Sequence, residues 1–181
     1  MRLSIFYERK YKQMNNVSAR TRSMTRAGII AALYVATTLL LSPISYGAIQ
    51  CRISEALCLL PVLTPAAVPG LFIGCLIANL LGTGVWYDVV FGSITTLLAA
   101  ALTHKLKDKP VLASLPPVLL NGLIVGSVVY FAYEYAPATG VVISQLLITM
   151  ASVAIGEAVA CCVLGVLLVS ALKKLPSKIF Q

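Results

Sequence analysis

The chain has 181 residues, 59% of them hydrophobic and 11% charged, with a mean hydropathy of +0.93 and a net charge of +8. Its longest apolar stretches exceed the roughly 20 residues that span hydrocarbon, which excludes an ordinary soluble domain. One membrane domain of this size is expected to leave no room for a nucleotide-hydrolysing domain of about 100–200 residues, so any energy source is sought in another subunit or an ion gradient.

Residues 1–26 form a basic segment, with Arg20, Arg22 and Arg26 ahead of the first apolar run. It is too long, and the run too membrane-like, for a cleaved signal, so it is expected to stay in the mature chain. The first span is predicted from Ala27 to Gly47, with an outer turn around Tyr46 to Arg52. The second, Ser54 to Leu63, is short, about 15 Å as α-helix. Thr64-Pro65-Ala66-Ala67-Val68-Pro69-Gly70 then interrupts before a third run ending at Leu81. Either the second helix extends back through Arg52, or the pair is a short hairpin buried among other helices, where broken helices are tolerated. A fourth span follows from Val85 to Thr103, a fifth from Val111 to Tyr133 and a sixth from Val141 to Leu172. The sixth is about 48 Å long if fully helical and is expected to project from the hydrocarbon or bend at Gly156.

This reading predicts an all-α integral membrane protein with six transmembrane helices over residues 27–172 and a basic tail over 173–181. Thirteen of the fourteen basic residues fall in three groups, Met1 to Arg26, His104 to Lys109 and Lys173 to Lys178. With an even number of crossings between them, all three lie on one face, and the positive-inside rule makes it cytoplasmic, with both termini there. Basic residues flanking apolar spans also attract anionic headgroups of the lipid bilayer. A nucleic-acid partner is not expected, because no basic surface alternates with aromatics. No repeat of three plus three helices is visible, which argues against a complete carrier built from inverted repeats.

Ionisable groups inside a membrane are costly and become functional candidates by default. Asp88 lies 17 residues before Lys105 and Glu157 lies 16 before Lys173, which puts both about 24–26 Å above the inner boundary. Asn121, twelve residues after Lys109, lies at about 18 Å, so a polar layer forms in the outer half. Asp88 follows Trp86 and Tyr87, and an aromatic face beside an anionic acceptor suits a flat heterocycle bearing several N–H donors; the alternative is an interfacial aromatic anchor with a capping Asp. Gln145, Thr149, Ser152 and Gly156 share one helical face, either a pocket wall leading to Glu157 or a packing seam. Arg52 and Glu55 are three apart and form either an ion pair at the interface or part of a ligand network. Glu134 falls near 37 Å, in the outer loop, and is discounted as a ligand.

Ala27, Ala31, Ala32 and Ala36 make two small-xxx-small pairs that let another helix approach, either within the chain or from a separate membrane subunit. The five cysteines, Cys51, Cys58, Cys75, Cys161 and Cys162, have no metal spacing and read as small apolar fillers, with Cys51 and Cys58 able to meet near the outer surface. There is no phosphate-binding glycine loop and no nucleophile elbow, so no catalytic residue, no metal and no cofactor are expected in the chain, which is not read as an enzyme.

The stretch Ala48-Ile-Gln-Cys-Arg-Ile-Ser-Glu-Ala-Leu57, continuing through Leu60-Pro61 and from Thr64-Pro65-Ala66-Ala67-Val68-Pro69-Gly70 to Asn79, resembles the QueT family. The resemblance covers nearly the whole chain after Arg22 and is most specific over residues 48–79. It implies a bundle like that of the S-components, the substrate-capture subunits of energy-coupling factor (ECF) importers in the bacterial cell membrane. The ligand it implies is a precursor of queuosine, a 7-deazaguanine such as queuine or its cyano or aminomethyl precursors. The implied partners are a transmembrane coupling subunit, met through Ala27, Ala31, Ala32 and Ala36, and two separate ATPases that use the ATP. A 7-deazaguanine offers two adjacent N–H donor groups and a carbonyl. A buried carboxylate accepts from the donors, with Glu55, Asp88 and Glu157 as the ordered candidates; Asn79 or Asn121 serves the carbonyl, and Trp86 or a Tyr stacks on the ring. Arg52, Tyr87 and Gln145 complete the expected binding set. The alternative is a self-sufficient secondary transporter that uses Asp88 or Glu157 as a proton site.

Overall fold

A computed structural model describes residues 2–42, 52–132 and 142–176, all of them in helices or the turns between. Among the described residues six helical rods follow one another. The first, α1, is Arg2–Leu40, and α2 is Ile53–Val62, a 3₁₀ helix. The third, α3, is Ala67–Gly82. In α4 a π-helical turn, Asp88–Gly92, runs into Ser93–Lys105. The fifth, α5, is built from Leu112–Ser114, Leu115–Leu120, a π turn Asn121–Val125 and Gly126–Ala132. The last, α6, joins Val142–Ala158, a π stretch Val159–Gly165 and Val166–Leu172. By length and composition, Ser18–Leu40, Leu112–Phe131 and Ile143–Leu172 are long and apolar enough to cross a membrane, while α2 and α3 are shorter apolar helices.

Several boundaries depart from those read from the sequence. The basic segment and the first span are one continuous helix, and it ends at Leu40, short of Pro43, where the sequence alone extended it to Gly47. Gly47, Cys51 and Glu134 lie outside the described residues. Arg52 is extended (φ −84°, ψ 102°) and precedes α2, so that helix does not run back through it. At about 2.0 Å per residue, a 3₁₀ rod of 10 residues reaches about 20 Å, further than the same residues as α-helix. The irregularity in α6 begins at Val159, past Gly156.

The rods pack through small residues. A Cβ on Gly70 would sit 2.6 Å from the Ala27 carbonyl, and one on Gly74 would lie 2.9 Å from Tyr34 Cβ and 3.1 Å from Ala31 Cα. The first alanine pair therefore opposes a glycine pair of the same spacing on α3. Likewise a Cβ on Gly122 or Gly126 would meet Ala154 or Met150 of α6 at 2.8 or 2.7 Å, and one on Gly165 would approach the Ala56 carbonyl to 3.0 Å. Helices in lipid gain little from hydrophobic association, so such close backbone approach supplies the van der Waals contact. Between α3 and α4, Gly84 takes the left-handed conformation (φ 62°) and donates to the Asn79 carbonyl at 3.0 Å, which closes α3.

The short rod α2 lies at the centre and touches each of the other five described rods. Leu59, Leu60 and Cys58 from α2 join Tyr34, Leu71, Cys75 and Val169 in one core. Its far end is tied to α4, where His104 Nδ1 lies 2.7 Å from the Pro61 carbonyl. Outside, the bundle presents Leu33, Ile73, Leu98, Leu119, Leu147, Ile155 and Leu167, whereas Arg52, Glu55, Asp88 and Glu157 are all buried. Charge inside and leucine outside is the arrangement of a protein in lipid.

Because Gly74 has no room for a Cβ, Gly74→Ala is expected to lower stability by about 1–3 kcal/mol. Gly28→Ala, with nothing within 4 Å of the added carbon, should leave stability level or raise it. Thermal unfolding of both variants in detergent checks this, and equal midpoints would contradict the α1–α3 contact.

Candidate functional site

Two buried polar clusters stand inside the bundle. The first is built around Glu55 and Glu157, which are 2% and 4% exposed. With three residues per turn, the 3₁₀ geometry of α2 stacks Glu55 and Cys58 on one face, and Arg52 immediately precedes the helix. Glu55 Oε2 accepts from the Cys58 thiol at 2.7 Å, and Oε1 accepts from the Tyr34 hydroxyl of α1. On α6, Glu157 and Cys161 are one turn apart, and the thiol lies 3.3 Å from Glu157 Oε1. The same thiol lies 3.2 Å from the Glu55 carbonyl oxygen, so one sulfur links the two acid-bearing helices. Asn121 Nδ2 from α5 donates to Glu157 Oε1 at 2.9 Å. Arg52 is 7% exposed and within electrostatic reach of Glu157, Tyr34 and Cys75. Thr38 donates to Ser54 at 2.7 Å and closes the cluster beside α1.

The second cluster joins α3 to α4. Asn79 Nδ2 donates to the Asp88 carbonyl at 2.9 Å and lies 3.4 Å from Cys75 Sγ, which also receives Thr96 Oγ1 at 3.3 Å. Gly92 permits this, since a Cβ there would sit 2.8 Å from Asn79 Nδ2. Asn79 Oδ1 and the Tyr130 hydroxyl are buried without a hydrogen-bond partner among the described residues. Cys75 lies within electrostatic reach of Glu55, so the clusters adjoin.

Each π turn adjoins one of these polar residues: Asp88 and Asn121 open theirs, and Glu157 lies just before Val159. Such turns are frequent at functional sites because they re-aim side chains and loosen the backbone ladder.

The other candidates lie apart from the acids. Trp86 is 59% exposed and stacks on Tyr87 with centroids 3.7 Å apart. Tyr87 lines a groove of about 270 Å³ with Phe91, Ser127, Val128 and Phe131. Gln145 is exposed, and the hydroxyls of Thr149 and Ser152 bond backbone carbonyls one turn back, at 3.0 and 2.9 Å. Of the alanines, Ala31 is buried and Ala27 partly so against α3, while Ala32 and Ala36 are exposed. The sequence reading overlooked Tyr34, Cys58 and Cys161. A signal was available: each acid of the first cluster is followed one turn later by a cysteine. Among the described residues no group of His, Cys, Asp and Glu is arranged to hold a metal ion.

The arrangement offers buried carboxylates and amides around shared donors, a set suited to binding a flat polar ligand. No solved structure matches the chain. A curated relative, the queuosine precursor transporter QueT of Lactococcus lactis subsp. cremoris (strain MG1363), is 38% identical over 93 residues, 50% of this chain and 54% of the relative. The chain thus spans about half the length of the curated relative it matches. The model of the QueT transporter family matches residues 24–174. That match takes in all six rods apart from the basic start of α1, and by it the chain belongs to the QueT transporter family.

Proposed function

We propose that the chain is the substrate-binding subunit, or S-component, of an ECF-type importer, and that it captures a queuosine precursor, a 7-deazaguanine. The observation that carries this reading is the pairing of Glu157 with Asn121 beside Glu55 in the buried centre. A guanine-like edge presents two adjacent N–H groups and a carbonyl. A carboxylate accepts both N–H groups, and the neighbouring amide donates to the carbonyl. The relative's name supports the substrate class. Analogues that lack one of these groups are rejected, because a buried carboxylate left unpaired is penalised. Trp86 and Tyr87 stay at the surface and are left out of the contact with the ring edge.

In this reading the six rods cross the bilayer with both termini cytoplasmic, beside the basic groups. A separate coupling subunit meets the exposed face of α1 at Ala32 and Ala36, since α3 occupies the Ala27 and Ala31 face. Two further subunits hydrolyse ATP. By itself the chain binds but does not pump.

Equilibrium binding of the purified chain to queuine and its cyano and aminomethyl precursors, with guanine and riboflavin as controls, tests the substrate. Submicromolar binding without ATP is expected for one deazaguanine. Glu157→Gln, which replaces an acceptor oxygen by a donor, should weaken it about 10- to 100-fold. No binding, or a Gln variant that binds like the unmodified chain, would sink the assignment of this site. In proteoliposomes holding the chain alone, an imposed proton gradient is expected to drive no accumulation. Accumulation there would establish the secondary carrier in place of the S-component.

A further inference from the structure

The two acids of the central cluster share a feature that ligand capture alone does not require: each is held by a thiol. Cys58 donates to Glu55 Oε2 at 2.7 Å, and Cys161 lies 3.3 Å from Glu157 Oε1 and 3.2 Å from the Glu55 carbonyl. Both cysteines are fully buried. A carboxylate taken out of water needs donors at all times, with or without a ligand. Each acid already has one firm donor, the Tyr34 hydroxyl on Glu55 and the Asn121 amide on Glu157, and a second firm donor in place of the thiol would be a further bond for an arriving ligand to break. A thiol is a weak donor. It limits the cost of the empty site and surrenders the oxygen readily to N–H donors.

We propose that Cys58 and Cys161 are positioning residues that act as exchangeable caps: their thiols are the weaker of the two donors on each acid while the site is empty, and give way first when the N–H groups of a planar heterocycle arrive. This rests on the substrate-binding reading above. No covalent or redox step is involved. The single S–H of Cys161 lies within reach of acceptors on both α6 and α2, so its release from Glu157 on binding leaves it free to donate to the Glu55 carbonyl.

The proposal makes an ordering that simple packing does not. If the thiols only fill space, Ser, close in size, preserves affinity, and Ala, which leaves a cavity, loses it. As exchangeable caps they behave in the opposite sense. Cys58→Ser and Cys161→Ser install stronger donors and weaken ligand affinity about 5- to 10-fold. Cys58→Ala and Cys161→Ala remove the competitor, so affinity stays equal or tightens, while the unfolding midpoint of the ligand-free protein falls.

The experiment is calorimetric titration of the full chain and the four variants with the deazaguanine that the unmodified chain binds, together with thermal unfolding of each without ligand. Ser weaker and Ala equal or tighter, with the ligand-free Ala variants less stable, supports the caps. Ser equal to the unmodified chain with Ala weaker overturns them and leaves the substrate reading standing. An unmodified chain that binds none of the deazaguanines sinks the substrate reading and this one with it. Where a variant fails to fold, the infrared S–H stretch of the unmodified chain decides. Ligand addition must shift it toward weaker hydrogen bonding, and an unmoved band overturns the proposal.

Discussion

Everything in this bundle turns on the burial of carboxylates in a chain whose outer surface is leucine, isoleucine and phenylalanine. A buried charge without donors costs several kcal/mol, so each acid recruits partners, and here they come from other rods as well as from the acid's own helix. Tyr34 of α1 reaches Glu55 of α2, Asn121 of α5 reaches Glu157 of α6, and Cys161 of α6 reaches back to α2. These bonds therefore both satisfy the acids and fix which helices are neighbours. Gly74 lies beneath Tyr34 and allows α1 and α3 to close. A glycine on one helix thus decides whether the hydroxyl of another arrives at an acid on a third.

The irregular helices follow from the same constraint. Carbonyls at irregular backbone receive side-chain partners, among them Asp88 from Asn79, Glu55 from Cys161, Pro61 from His104 and Ala113 from Thr103. Backbone that departs from the regular α-helical ladder survives at membrane depth only when protein groups take over the freed polar atoms. The π turns at Asp88, Asn121 and Val159 and the long 3₁₀ run in α2 are held in this way or lie beside the polar clusters.

How much of this was legible in the sequence depends on the coordinate concerned. Position along each rod was readable, because hydropathy and the lysine groups mark where an apolar run begins and ends. The six apolar runs and the short second helix came from that. Position around each rod was harder, since it depends on which helix lies alongside. Ala27 and Ala31 differ from Ala32 and Ala36 only in azimuth, and the matching Gly70 and Gly74 spacing on α3 decides which pair is used internally. For Trp86 the information was present. Residues two apart on a helix do not share a face, so an inward Asp88 already implied an outward Trp86. The donor role of Cys58 and Cys161 was hidden for a different reason. Cysteine is common in cores as a small apolar residue, and only the proximity of an acid one turn away distinguishes the two uses.

The central 3₁₀ rod explains why these features meet in one place. It carries Glu55 in its first turn and Pro61 near its end, so about 20 Å or less separates the acid cluster from the carbonyl held by His104 in the last turn of α4. At that end stand Lys105, Lys107 and Lys109. In an α-helix Glu55 and Cys58, three residues apart, would share a face but be offset by about 60°, whereas three residues per turn sets one above the other. Gly165 then brings α6 against Ala56, close enough for the Cys161 thiol to reach the Glu55 carbonyl. The helix type of a ten-residue segment thus aligns its acid with its thiol, and the glycine opposite brings the second acid within one sulfur of it.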